Sequence, residues 1–304
     1  MKTNVTFPSA GLKLAGILFT PDAHTGSPLP AIVVSHPGGG VKEQTASIYA
    51  ERLAREGYAT LVFDAAYQGE SEGTPRGLEN PFQRAEDVRA AVTYLATRDD
   101  IDPARIGALG ICASGAYVPF AAQTDHRIKA IAAVSAVEIR DLLVNGLGRT
   151  QGPDVLQAML DQAGALRTAE ARGEAPVMTN WAPESPEGLE EAPTLYREAQ
   201  DYYRTPRAQH CNSTNEWPLR SIDQIAQFDG FAMIDLIAPR PLLMIIGSEA
   251  DTGYFSREAV AKAGNNAELV EIAGATHISL YDKNEHVTPA VARLADFFGT
   301  GLSA

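Results

Sequence analysis

The sequence predicts an α/β fold, a doubly wound and mostly parallel sheet interrupted by one helical insertion. Two observations predict it. Short, continuously apolar runs (31–35, 60–63, 105–111, 128–134 and 241–247) alternate with helical patterns. Such runs read as strands buried on both faces, which is the mark of a parallel sheet. The alternation then stops across 137–230, a charged stretch rich in Pro and Gln, and resumes after it. The expected division is a core of 1–136 and 231–304 and a helical cap at 137–230. In sheets of this kind, ligands lie beyond the carboxyl ends of the strands.

Bulk properties narrow the function. A chain of 304 residues, 45% hydrophobic, suits one large α/β domain with an insertion, or two domains. A net charge of −13 argues against nucleic acid and anionic membranes as partners. No apolar run is long enough to span a bilayer. Residues 1–20 alternate polar and apolar and read as two strands rather than a signal peptide. Two cysteines, Cys112 and Cys211, make no disulfide framework, so a reducing cytoplasmic setting is expected. The oligomeric state stays open, a homodimer among the options.

Residues 3–7 and 12–19 read as strands joined at Ser9-Ala10-Gly11, and 20–30, with three prolines, as a loop. The buried run 31–35 ends in His36-Pro37-Gly38-Gly39-Gly40, where bare backbone N–H groups can face a ligand. A helix over 43–56 stops at Gly57. The strand 60–63 leads into a polar loop that carries Tyr67, and 80–97 is an amphipathic helix. After the next strand comes Gly110-Ile111-Cys112-Ala113-Ser114-Gly115, where a strand turns into a helix within a few residues. Such a turn strains its apex and needs small neighbours, the physical content of a nucleophile elbow. Cys112 is the apex, near a helix N-terminus that favours a thiolate. Two other readings compete: an inert buried Cys112, or a frame slipped by two that makes Ser114 the nucleophile.

Helical patterns near 153–172 and 193–204 fill the insertion, with Trp181, Trp217, Tyr202, Tyr203 and His210. Beyond it the strand 241–247 ends at Ser248-Glu249-Ala250-Asp251, a helix spans 256–264, and the strand 268–272 ends at Ala273-Gly274-Ala275-Thr276-His277. The last helix runs from about 287 to 298. Nucleophile, acid and histidine thus follow three separate strands in that order. His277 would take the thiol proton from Cys112, and Asp251, or else Glu249, would orient the imidazole. Backbone N–H groups of Ala113 and of Gly38 and Gly39 would hold the oxyanion. His36, Tyr67 and His210 are candidate substrate contacts.

With these motifs in place, the chain resembles the α/β-hydrolase superfamily over nearly its whole length. The likeness is greatest to the dienelactone-hydrolase-like branch and its YcjY-type members. It is carried by residues 36–44, 63–71, 110–115, 247–251 and 274–277. The resemblance implies an eight-stranded sheet, a Cys-His-Asp triad at Cys112, His277 and Asp251, no metal and no organic cofactor. The long insertion departs from dienelactone hydrolase itself and puts a small cyclic lactone substrate in doubt. The expected activity is hydrolysis of carboxylic esters, thioesters or lactones, small-molecule acyl substrates, through an acyl-enzyme. An acyltransferase that passes the acyl group to an alcohol, or a non-catalytic binding protein on the same fold, are the alternatives.

Overall fold

The apolar runs become strands because both of their faces are covered. In the computed structural model, which describes residues 1–22 and 26–303, β1 (Lys2–Ser9) and β2 (Leu12–Phe19) form an antiparallel hairpin. Then follow β3 (Leu29–Ser35), α1 (Thr45–Arg55), β4 (Ala59–Phe63), α2 (Pro81–Ala96), β5 (Ile101–Ile111), α3 (Ser114–Thr124) and β6 (Ile128–Val134). The next stretch holds α4 (Ile139–Asn145), α5 (Pro153–Ala171), β7 (Met178–Asn180), α6 (Thr194–Arg204), β8 (Glu216–Pro218) and α7 (Ile222–Ile225). The chain closes with β9 (Leu242–Gly247), α8 (Gly253–Ala263), β10 (Ala267–Ile272), α9 (Ser279–Asp282) and α10 (Asn284–Gly301).

Eight strands make one sheet in the order β1-β2-β4-β3-β5-β6-β9-β10. From β4 to β10 every pairing is parallel, and β2 alone runs against the rest, antiparallel to both β1 and β4. Period-2 alternation sorts each central strand between two apolar clusters. Ala31 and Val33 face α2 and α3, with Val88, Val92 and Val118. Ile32 and Val34 face α1 and α10, with Tyr49, Leu53, Leu294 and Phe298. Helix α2 starts where Asn80 accepts hydrogen bonds from the Phe82 and Gln83 N–H groups, with Pro81 at its first position. No helix among the described residues is long and apolar enough to cross a membrane.

Three details differ from the sequence expectations. The stretch between β6 and β9 is not purely helical, because β7 and β8 pair antiparallel. Each is three residues long and its partner lies far along the chain, so neither leaves a periodic signature. Helix α4 was hidden by its brevity. Helices α8 and α10 begin three residues earlier than expected, α8 with Gly253-Tyr254-Phe255 and α10 with the polar Asn284-Glu285-His286, which carry no apolar pattern.

Candidate active site

The elbow is built by steric exclusion. Cys112 has φ +57°, a left-handed backbone that a non-glycine residue adopts at a cost. A Cβ on Gly110 would lie 1.9 Å from the Ser114 carbonyl oxygen, and one on Gly115 would lie 2.5 Å from Ala136 Cβ. Both positions therefore need glycine. The Cys112 N–H donates to Val134 O at 3.1 Å, and its carbonyl accepts from Gly115 N–H at 2.7 Å and Val137 N–H at 3.0 Å.

Ser114 sits under the elbow, not at its apex. Its hydroxyl is buried and donates to His36 O at 2.6 Å, beside Ser35 Oγ at 2.9 Å. Arg84 Nη2 donates to the same carbonyl at 2.7 Å and to Ser114 Oγ at 3.1 Å. Glu79, fully buried, lies 3.6 Å from the Arg84 guanidinium and accepts from the Tyr117 hydroxyl at 2.7 Å. Sequence reading passed over this foundation.

The backbone N–H groups of Ala113 and Gly38 face the Cys112 sulfur and favour its charged form. Burial works the other way and is the larger effect, so the thiol titrates above its ordinary value. The sequence expectation of a thiolate favoured by the helix N-terminus is corrected here, since desolvation outweighs the local dipole. His277 is buried too, and desolvation alone pulls its pKa down to about 3. The resting pair is therefore a neutral thiol and a neutral imidazole.

His277 Nδ1 lies 2.6 Å from Thr252 Oγ1, and Nε2 lies 3.1 Å from the Tyr281 hydroxyl. Asp251, expected to orient the imidazole, does not touch it in the structure. Its Oδ2 accepts from the Leu195 N–H of α6 at 2.9 Å, while Oδ1 is buried without a partner. The turn after β9 brings the next residue, Thr252, to face the histidine instead. Glu249 is exposed and takes the Ser248 hydroxyl at 3.2 Å.

The remaining candidates separate. Gly38 lines a cavity of about 70 Å³ over Cys112, with Trp181, Leu195, Tyr203, His277 and Tyr281 also on its wall. Gly39 does not line it. Trp181 packs on Gly39, whose carbonyl accepts from Ser213 Oγ at 2.7 Å. His36 is no substrate contact here: it is fully buried, with Nδ1 2.7 Å from Pro37 O and Nε2 accepting from Ala65 N–H at 3.1 Å. Tyr67 borders a separate groove with Arg76, Cys211 and Asn215. His210 accepts the Asn212 N–H at 3.2 Å, away from the cavity. Glu43, Asp64 and Glu70 converge with the spacing of metal ligands, but the Lys42 ammonium fills their centre at 2.6–2.8 Å. Thr252 and Tyr281 went unread in the sequence. Tyr281 lies one helical turn after His277, a spacing that could have flagged it.

The parallel sheet, the strained apex on the strand-to-helix turn and the histidine beyond the last strand define the α/β-hydrolase class. The chain belongs to the family described as X-Pro dipeptidyl-peptidase (S15 family), whose model matches residues 10–234. It is 40% identical to the uncharacterised protein YcjY of Escherichia coli K12, over 97% of this chain and 96% of that protein. The crystal structure of the hypothetical protein PA2218 from Pseudomonas aeruginosa matches with a TM-score of 0.93 at 33% identity, covering 99% of this chain and 94% of that one. Thiohydrolase aneE of Aspergillus aculeatus is 34% identical over 54% of this chain and 49% of its own length.

Proposed function

We propose that this protein hydrolyses small acyl substrates, thioesters, carboxylic esters or lactones, through a thioester acyl-enzyme on Cys112. The observation that carries this reading is the Cys112 apex at positive φ with the Ala113 and Gly38 N–H groups at its sulfur. A carbonyl attacked by that sulfur would develop its negative charge beside the same two donors. His277, neutral and held by Thr252, accepts the thiol proton and later protonates the leaving group. Water then attacks the thioester, and His277 serves as base again. The partial likeness to a thiohydrolase supports a thioester substrate.

The cavity wall speaks for an uncharged acyl group. None of its residues is a carboxylate or a permanent cation. A dipeptidyl substrate would bring a terminal ammonium, and burying that charge unpaired is costly. The cavity of about 70 Å³ over Cys112 favours short acyl chains.

The test is intact-protein mass spectrometry after brief exposure to p-nitrophenyl esters, short thioesters and an X-Pro p-nitroanilide. An acyl adduct on Cys112 is expected with short thioesters and esters. Cys112→Ala should melt like the parent and lose turnover by at least about a thousandfold. Full turnover by Cys112→Ala would sink the proposal. Running the assay with and without an alcohol acceptor separates hydrolysis from acyl transfer.

A further inference from the structure

Among the described residues no direct hydrogen bond joins the Cys112 sulfur to His277. The Tyr281 hydroxyl occupies that place. It lies 3.1 Å from His277 Nε2 and lines the same cavity as Cys112 and His277, where it favours the charged form of the sulfur. We infer that Tyr281 is a catalytic residue that relays the proton between Cys112 and His277, an inference that rests on Cys112 being the nucleophile.

Tyr281 is fixed where it stands. Its ring meets Tyr202 edge-on, with centroids 5.2 Å apart, and is 1% exposed. Its carbonyl accepts from Thr45 Oγ1 at 3.0 Å, and that of Leu280 accepts from the Tyr49 hydroxyl at 2.7 Å. Helix α9 is thereby pinned to α1, so the phenol does not swing aside to let thiol and imidazole meet. The far side of the imidazole is equally occupied, by Thr252 Oγ1 at 2.6 Å. In the tautomer whose Nδ1–H donates to Thr252, Nε2 is the acceptor, and among the described residues the hydroxyl within hydrogen-bond reach of it is that of Tyr281.

The step balances without a phenolate. As the sulfur lone pair bonds to the carbonyl carbon, the carbonyl π electrons move to its oxygen. The thiol proton passes to the Tyr281 oxygen while the proton already on that oxygen passes to His277 Nε2. Tyr281 ends as it began, a neutral phenol. On collapse the imidazolium proton returns by the same route, or directly, to the leaving group. Burial pushes the Tyr281 hydroxyl well above its usual range, which excludes a standing phenolate and requires both transfers together.

The experiment measures the rate of Cys112 acylation by a p-nitrophenyl ester in mixtures of H2O and D2O. The parent should give a curved dependence on deuterium fraction, from two protons moving in one step. Tyr281→Phe should acylate at least about a hundredfold more slowly, the scale of a lost acid–base partner, and lose the curvature. Site-specific 3-fluorotyrosine at 281 keeps the hydroxyl and the packing, and should restore rate and curvature even where the phenylalanine variant folds poorly. A Tyr281→Phe rate within about threefold of the parent, or a straight-line dependence in the parent, overturns the relay and leaves the nucleophile standing. A parent that shows no adduct on Cys112 overturns the nucleophile, and the relay with it.

Discussion

The foundation beneath Cys112 and the cover above it are both buried, and the foundation pairs its polar groups more fully, although Arg84 Nε in it lacks a hydrogen bond. Below, Arg84 ties the His36 carbonyl to the Ser114 hydroxyl and pairs with Glu79, which also takes the Tyr117 hydroxyl. Asp87, lifted by burial to about 6, still accepts from Ser9 Oγ at 2.6 Å and Ala66 N–H at 2.8 Å. Above, Trp181 stacks on Trp217 with ring centroids 5.0 Å apart, and both indole N–H groups are buried without partners. Asp251 Oδ1 is in the same condition. Each such group costs roughly 1–3 kcal/mol, so an arrangement that satisfies them is held more firmly than one that does not. The difference teaches where precision is required: the apex needs a rigid base, whereas the cover tolerates buried polar groups without partners.

Breaking the foundation should have the largest effect. Arg84→Met leaves Glu79 buried and unpaired and should cost about 3–5 kcal/mol, read from urea denaturation midpoints. Adding Glu79→Gln should recover a large part. A loss below about 1 kcal/mol would erase the contrast between base and cover.

The root of the cover gives a pH-dependent test. Glu138 accepts from Asp141 N–H at 2.7 Å, where α4 begins, and from Gly230 N–H at 3.4 Å, near the far end of the same stretch. Burial, helped by the Asp229 charge, raises its pKa to about 7. Between the ordinary carboxylate value and that one, the folded protein keeps a proton the unfolded chain has released. This group therefore lowers stability as pH rises through about 7. Glu138→Gln should match the parent near pH 4 and gain up to about 3 kcal/mol near pH 9, measured by denaturation at both values. An equal difference at both pH values would show that Glu138 does not titrate there.

The smallest expected effect sharpens the boundary between the two regions. Asp251 holds the start of α6, a wall of the cavity, rather than His277. Asp251→Asn should cost at most about 1 kcal/mol and keep turnover within about tenfold. Thr252→Val should reduce turnover more, since it removes the partner of Nδ1. A hundredfold or larger loss in Asp251→Asn would mean that the carboxylate reaches the imidazole during the reaction.

Local chemistry was legible in the sequence. Uninterrupted apolar runs marked the central strands because a strand covered on both faces has no polar side to show. The glycines at 110 and 115 marked the elbow because only they fit there. The sequence also pointed to His277 beyond the last strand. The helix α4, the short β7–β8 pair and the function of Arg84 were not legible, since each depends on partners distant in the chain.

The sequence by itself determined the strands and helices of the sheet-bearing core, the strained apex at Cys112 and the place of His277 beyond the last strand, because these follow from periodicity and short-range sterics. Only the tertiary structure decided that Thr252 rather than Asp251 faces Nδ1, that the Tyr281 hydroxyl faces Nε2, and that burial favours the neutral forms of Cys112 and His277. The reason is physical. Desolvation and hydrogen-bond geometry depend on everything packed around a group, and residues more than a hundred positions apart do that packing.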